Sequence, residues 1–227
     1  MSSSPPPPFS HLSGRRLLLD AAFLPIQAGY LEDGRLVSMH PAEGEALHAI
    51  FEAAELVLEN RRLGFRDLDG FVYCTGPGSI LALRLAAMAI EGWRGGAPGA
   101  EVSILQYYSL HAAAAMHQSR GGGADFDLYL PVRRDCLCRL PVRAGKFGEF
   151  ALTDPAAIPD EGFPRVALAG SSDRLASPDG MPLMDYDLMS LPRDWFARAD
   201  LHRVDNPTPF VPSPAIYSVW NGQRHRR

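Results

Sequence analysis

The stretch Gly76-Pro77-Gly78-Ser79 constrains this chain more than any other. It stands between an apolar, strand-like run, Gly70-Phe71-Val72-Tyr73-Cys74, and a long helical segment beginning at Ile80. A Gly-Pro-Gly-Ser turn that ends a strand and opens a helix leaves backbone N–H groups free at the helix start. Such a turn either meets an anion or seats the helix tightly against its sheet. In both cases the chain must lay helices on strands, and the choice between the two decides much of the functional question.

The surrounding pattern supports that architecture. Arg16 to Asp20, Ile26 to Glu32 and Arg35 to Met39 read as strands, the last two joined by the tight-turn pair Asp33-Gly34. Glu43 to Arg62 is helical. Leu47, Ile50, Ala54 and Leu58 recur at spacings of three and four, opposite a polar stripe of Glu45, His48, Glu52, Glu55 and Glu59. The next helix is unusual, because between Ile80 and Trp93 only Arg84 and Glu91 are charged. A helix apolar nearly all round is covered on more than one side. A strand at Glu101 to Leu105 and a third helix from about Tyr107 to His117 follow.

Ser119-Arg120-Gly121-Gly122-Gly123-Ala124-Asp125 marks a break. Beyond it, Phe126 to Val132, Cys136 to Val142 and Phe147 to Leu152 read as an antiparallel meander, and Val166 to Ala169 as a further strand. The remainder is Pro-rich and loop-like, closing on the apolar run Ala215 to Trp220. The expected organisation is an arm over 1–14, an N-terminal lobe over 15–120 and a smaller lobe over 125–227. The fold class is α/β, a mixed five-stranded sheet with helices packed on it in the first lobe and a degenerate second lobe.

Bulk properties exclude several function classes. A net charge of −4 over 227 residues argues against a strongly basic nucleic-acid binder, although Arg224-His225-Arg226-Arg227 forms a small basic tail. The three cysteines, Cys74, Cys136 and Cys138, have no disulfide-framework spacing and fit a reducing compartment. Cys136-x-Cys138 lacks the second pair a zinc site needs, so buried thiols are the preferred reading. Met1 to Ser13, with Pro5 to Pro8 in succession, lacks the charged start and apolar core of a signal peptide and reads as a disordered arm. No apolar run reaches the roughly 20 residues of a membrane span, so a cytoplasmic protein is expected.

Four segments carry a resemblance to a known family. Leu17-Leu18-Leu19-Asp20 resembles a first strand ending in an Asp-Thr turn. The helix Glu45 to Asn60, followed by Phe65-Arg66-Asp67-Leu68-Asp69-Gly70, resembles a first helix and its connection to the fourth strand. Gly76-Pro77-Gly78-Ser79 with Leu83-Arg84 is similar to a Gly-Pro-Gly-Ser-Phe-Thr-Gly-Leu-Arg motif, and Pro214-Ala215-Ile216-Tyr217 to a Pro-Val-Tyr close. Together they resemble the TsaB (YeaZ) family of the actin-like/heat-shock ATPase superfamily, whose members partner TsaD in making threonylcarbamoyladenosine in tRNA. The likeness covers most of 15–118 and patches beyond. Polar groups of the family are replaced here by apolar ones: Ala21, Ala22 and Phe23 follow Asp20, and Ile80-Leu81-Ala82 replaces Phe-Thr-Gly. A family His falls on Ala46, beside a matching Glu45 and close to His48. Pro131-Val132-Arg133 replaces Asp-Ala-Arg. The chain reads as a diverged member.

Three chemistries follow for testing. A nucleotide-phosphate site would use Asp20 for Mg²⁺ with Gly76, Gly78 and Ser79 around phosphate. The neighbouring hydroxyls and a Lys are missing, so the packing turn is preferred and no cofactor is expected. Histidine-based metal or peptidase chemistry lacks support, since His111 and His117 fall on different helix faces, His40 and His48 lack a third ligand, and no His-Glu-x-x-His occurs. Ser79 does not sit in a Gly-x-Ser-x-Gly elbow. No catalytic residue and no metal ligand is therefore assigned. The third is partner binding. The resemblance implies that the first two helices pack on the matching helices of a TsaD-like protein or of a second copy, a homodimer, with indirect tRNA contact within a complex. The residues expected there are Glu45, Ala46, Ala49, Ala53, Leu83, Ala87 and Ile90, small side chains permitting close helix approach and the apolar second helix supplying area. The expected function is a non-catalytic scaffold subunit. The alternatives are a small-molecule kinase or ATPase using Asp20 and the Gly76–Ser79 turn, and the same fold serving a different partner.

Overall fold

The computed structural model describes residues 12–96, 102–133, 135–169 and 180–210. The Pro-rich arm and the terminal run Ala215 to Trp220 lie largely or wholly outside them.

The first sheet starts as three antiparallel strands, β1 (Arg15–Asp20), β2 (Ile26–Glu32) and β3 (Arg35–Ala42), with the Asp33-Gly34 hairpin at the predicted place. Asp33 and Gly34 both take positive φ there, which the tight turn requires. After helix α1 (Ala46–Glu59), strand β4 (Gly70–Gly76) enters parallel to β1 and is buried along its whole length. Helix α2 (Ile80–Gly95) returns the chain, and β5 (Ser103–Tyr108) pairs parallel to β4 before helix α3 (Ser109–Ser119). The strand order β3-β2-β1-β4-β5 with these crossovers is that of an actin-like lobe.

The expected five strands become six. The last described strand, β12 (His202–Val204), returns from the far end of the chain and pairs antiparallel to β5. Three residues with two charged or polar side chains give no periodic signal, so only tertiary pairing reveals this strand.

The second sheet has the order β11-β10-β6-β7-β8. It contains β6 (Phe126–Arg133), β7 (Cys136–Arg143), β8 (Lys146–Phe147), β9 (Ala151–Thr153), β10 (Arg165–Leu168) and β11 (Leu183–Met184). The expected meander is present, but its third strand is interrupted: β8 and β9 pair with opposite ends of β7. An ion network spans this sheet, with Asp127 on β6 held by Arg139 at 2.7 Å and Arg143 at 2.8 Å, and both arginines reaching Glu161. A short helix, α4 (Trp195–Arg198), completes the described elements.

Alternation on β1 and β4 divides the core. Phe71 and Tyr73 face α2, where Phe71 stacks on Trp93 and the Tyr73 hydroxyl donates to the Leu83 carbonyl. Asp20 and Cys74 face the other way, toward α3, α4 and the segment carrying Tyr186. That second side holds the candidate site.

Candidate functional site

The Gly76–Ser79 turn is built by contact with the β1–β2 connection. Gly76 has φ +107°, a backbone conformation costly for side-chain-bearing residues. A Cβ on Gly78 would fall 2.7 Å from the Ala22 Cα, so only glycine lets the two backbones meet. The Ser79 N–H donates to the Ala22 carbonyl at 2.9 Å, and the Pro77 carbonyl accepts the Ser109 hydroxyl at 2.5 Å. The Ser79 side chain makes no cap to the helix. Of the candidate phosphate donors, the Ser79 N–H is thus engaged by protein.

Asp20 is equally engaged. Its carboxylate is 1 % exposed and accepts hydrogen bonds from the Tyr107 hydroxyl at 2.5 Å, the Tyr186 hydroxyl at 2.6 Å and the Ala22 N–H at 2.9 Å. Burial raises its pKa, with these hydrogen bonds opposing the shift. Burial beside the Asp20 charge drives the Tyr107, Tyr186 and Cys74 pKa values well above their ordinary ranges. The structure therefore brings Asp20 and the Gly76–Ser79 turn together, as the sequence suggested, around the backbone of Ala22. What it places on Asp20 is two tyrosines where a metal and phosphate would need open space.

Both tyrosines were missed in the sequence. Tyr107 lay at the expected strand-to-helix boundary, which falls two residues later because β5 runs on to Tyr108. Tyr186 comes from a loop 166 residues away from Asp20, in a stretch with no periodicity. Its ring also lies 4.5 Å from that of Phe23, and the next residues are tied down by the Gln27 side chain, which accepts the Leu188 N–H at 3.0 Å. Of the apolar replacements, Phe23 is what the Tyr186 segment packs upon, while Ala22 meets the Gly76–Ser79 turn.

The helix residues expected at a partner interface divide into two groups. Ala49, Ala53, Leu83 and Ile90 have no exposed surface, and Ala87 has almost none. The small alanines let α1 approach β2, β3 and α2 of its own chain. They are core residues, which corrects their placement on an outer face. Glu45 is exposed and Ala46 half-buried. The outward apolar side chains are different ones on the same helices: Leu47, Phe51, Ile80, Leu81 and Met88, with Leu81 68 % and Met88 69 % exposed. Leu47, expected in the buried stripe of α1, points outward because the stripe runs through Ala49, Ile50, Ala53, Ala54, Val57 and Leu58 instead. The surplus apolar surface expected of the second helix is present.

The remaining candidates are structural. Cys74, Cys136 and Cys138 are buried free thiols. His111 stacks on Phe147 and Phe150, and burial lowers its pKa to about 4, so it is neutral at neutral pH. It borders a cavity of about 630 Å³ between α3 and α4. Among the described residues, no group of three or more His, Cys, Asp or Glu could hold a metal ion, and no helix is long and apolar enough to cross a membrane.

Two sheets with this strand order and these crossovers define an actin-like ATPase fold. Within that class the chain is similar to YeaZ from Pseudomonas aeruginosa, with a TM-score of 0.60 and 17 % identity over 87 % of this chain and 99 % of that one. It is similar as well to an uncharacterized protein described as resembling the peptidase YeaZ from Pseudomonas aeruginosa, with a TM-score of 0.61 and 17 % identity over 88 % and 99 %. No family model matches the sequence, and no curated protein matches it. The motif resemblance and the structural likeness thus meet on the YeaZ (TsaB) fold.

Proposed function

We propose that this chain is a TsaB-like, non-catalytic subunit that docks a TsaD-type partner in threonylcarbamoyladenosine modification of tRNA, and that it acts in the cytoplasm. The observation that carries this reading is the exposure of Leu47, Phe51, Ile80, Leu81 and Met88 on two neighbouring helices of the first lobe. Clustered exposed apolar side chains of this size mark interaction surfaces. The engaged state of Asp20 supports the non-catalytic part, because a buried carboxylate that already accepts two tyrosine hydroxyls offers no open side to a hydrated Mg²⁺. The interface is accordingly drawn through Glu45, Ala46 and the five exposed apolar residues, with a second copy of the chain as the alternative occupant.

The test is co-purification of the full chain with the TsaD homologue of its host, followed by the double substitution Leu81→Arg with Met88→Arg. Loss of the complex with retained folding is expected. A complex that survives both substitutions removes the α1/α2 face from the interface. Failure of the unaltered chain to bind the homologue points to a different partner. Stoichiometric Mg-ATP binding by the isolated chain in calorimetry overturns the non-catalytic reading in favour of a kinase or ATPase.

A further inference from the structure

A second apolar surface lies on the other side of the molecule. Phe23, Leu24, Pro25, Met39, Tyr186 and Met189 line a groove of about 530 Å³ beside the β1–β2 connection. Leu24 is 59 % exposed and Met189 61 %. Asp185 and Asp187 also line it, beside Gln27, Pro41 and Ala169, and no Lys or Arg is among the described lining residues. The described lining is therefore largely apolar and carries two carboxylates.

We propose that the occupant of this groove is the C-terminal segment of the same chain, residues 211–227. Its sequence is the chemical complement. It offers Ile216, Tyr217, Val219 and Trp220 within six residues, then Arg224, Arg226 and Arg227, and it contains no Asp or Glu. Apolar anchors followed by cations suit an apolar groove lined by two carboxylates.

The path is short. The last described residue, Phe210, donates its N–H to the Thr75 carbonyl, and its own carbonyl lies 3.6 Å from where a Gly76 Cβ would stand. Gly78, two residues on, touches Ala22, and Phe23 begins the groove. The six residues from Val211 to Ile216 span up to about 20 Å when extended, enough to enter it. The undescribed segments 1–11 and 170–179 fit less well. Residues 1–11 join the described chain at Leu12, which packs beside Gly34 at the opposite end of β2. Residues 170–179 carry Asp173 and Asp179 against one Arg, with Leu175 their only large apolar side chain.

Cysteine cross-linking in the full chain tests this. Met189→Cys with Val219→Cys should form an intramolecular disulfide under mild oxidation, read by mass and by mobility on a non-reducing gel. Leu47→Cys with Val219→Cys, on the far side, should not. Reversing the tail charges (R224E, R226E and R227E together) should slow the first reaction about fivefold, because each such ion pair contributes modestly. Adding Asp185→Lys should recover part of the rate. Equal cross-linking by the two pairs, or none by either, overturns the proposal. A predominantly intermolecular disulfide also overturns it and assigns the groove to a second copy.

Discussion

The end of the sheet around Asp20 and the outer face of α1 and α2 belong to one lobe but have opposite character. At the Asp20 end the carboxylate and part of the turn are taken by protein: two tyrosine hydroxyls on the carboxylate, a backbone carbonyl on the Ser79 N–H, a serine on the Pro77 carbonyl. On the helix face, large apolar side chains stand exposed, and nothing among the described residues covers them. A region that satisfies itself contributes stability. A region that does not is where another molecule gains by binding. The same motif that suggested a phosphate cradle thus marks where the turn and the β1–β2 connection hold each other.

The sharpest way to break this contrast is to place the same cation on both sides of α1 and α2. Ala53 has no exposed surface and packs between its helix and the sheet. Ala53→Arg would bury an unpaired charge, at a cost of more than about 4 kcal/mol. The variant should lack a cooperative unfolding transition followed by circular dichroism. A folded, soluble Ala53→Arg protein would return Ala53 to the surface.

At the Asp20 end, removal and neutralisation should differ. Asp20→Ala leaves the Tyr107 and Tyr186 hydroxyls and the Ala22 N–H buried without their acceptor, costing about 3 kcal/mol in urea unfolding. Asp20→Asn keeps an acceptor and removes the buried charge, so it should cost less. The pH dependence fixes the sign. The folded pKa of Asp20 lies above the unfolded value of about 3.9. The native chain therefore binds this proton more tightly. Its contribution to stability is greatest below that value and declines as pH rises through the folded pKa. Asp20→Asn should abolish that decline, and an unchanged slope would show that Asp20 is not the group responsible.

His111 gives a smaller effect of the opposite sign. Its pKa falls from 6.5 to about 4 on folding, so its contribution is complete above 6.5 and is lost as pH falls toward 4. The loss is on the order of 3 kcal/mol as an upper bound, reduced by partial solvent access. His111→Phe, which retains an aromatic ring against Phe147 and Phe150, should flatten the acid limb of the stability curve. A limb that persists unaltered assigns the titration elsewhere.

These sites were unequally legible. Local signals placed the Asp33-Gly34 hairpin, the strands of the first lobe and the turn at Gly76, because each is written in consecutive residues of definite chemistry. The face of α1 was less readable. Leu47 and Ala49 stand two residues apart, and helical spacing alone does not say whether a leucine or an alanine meets the sheet. Close approach of α1 selects the small side chains for the inside. Tyr186 and β12 were not readable at all, since each depends on a partner more than 90 residues away in a stretch without periodicity. The carboxylate of Asp20 was visible as a candidate, but what occupies it was not.

The smallest effect on stability is expected where the effect on association is largest. Leu81 and Met88 are each more than two-thirds exposed, so Leu81→Arg and Met88→Arg should each change the unfolding free energy by less than about 0.5 kcal/mol. Arginine is also a good helix former and should sit comfortably on the outer side of α2. Chemical unfolding of the double variant should therefore overlay that of the unaltered chain, while its binding to a TsaD-type partner falls away. A double variant that is markedly destabilised would mean that these side chains are already covered within the chain or by a second copy in the free protein. Measuring the same unfolding midpoint at two protein concentrations separates those cases, because only cover by a second copy makes the midpoint depend on concentration.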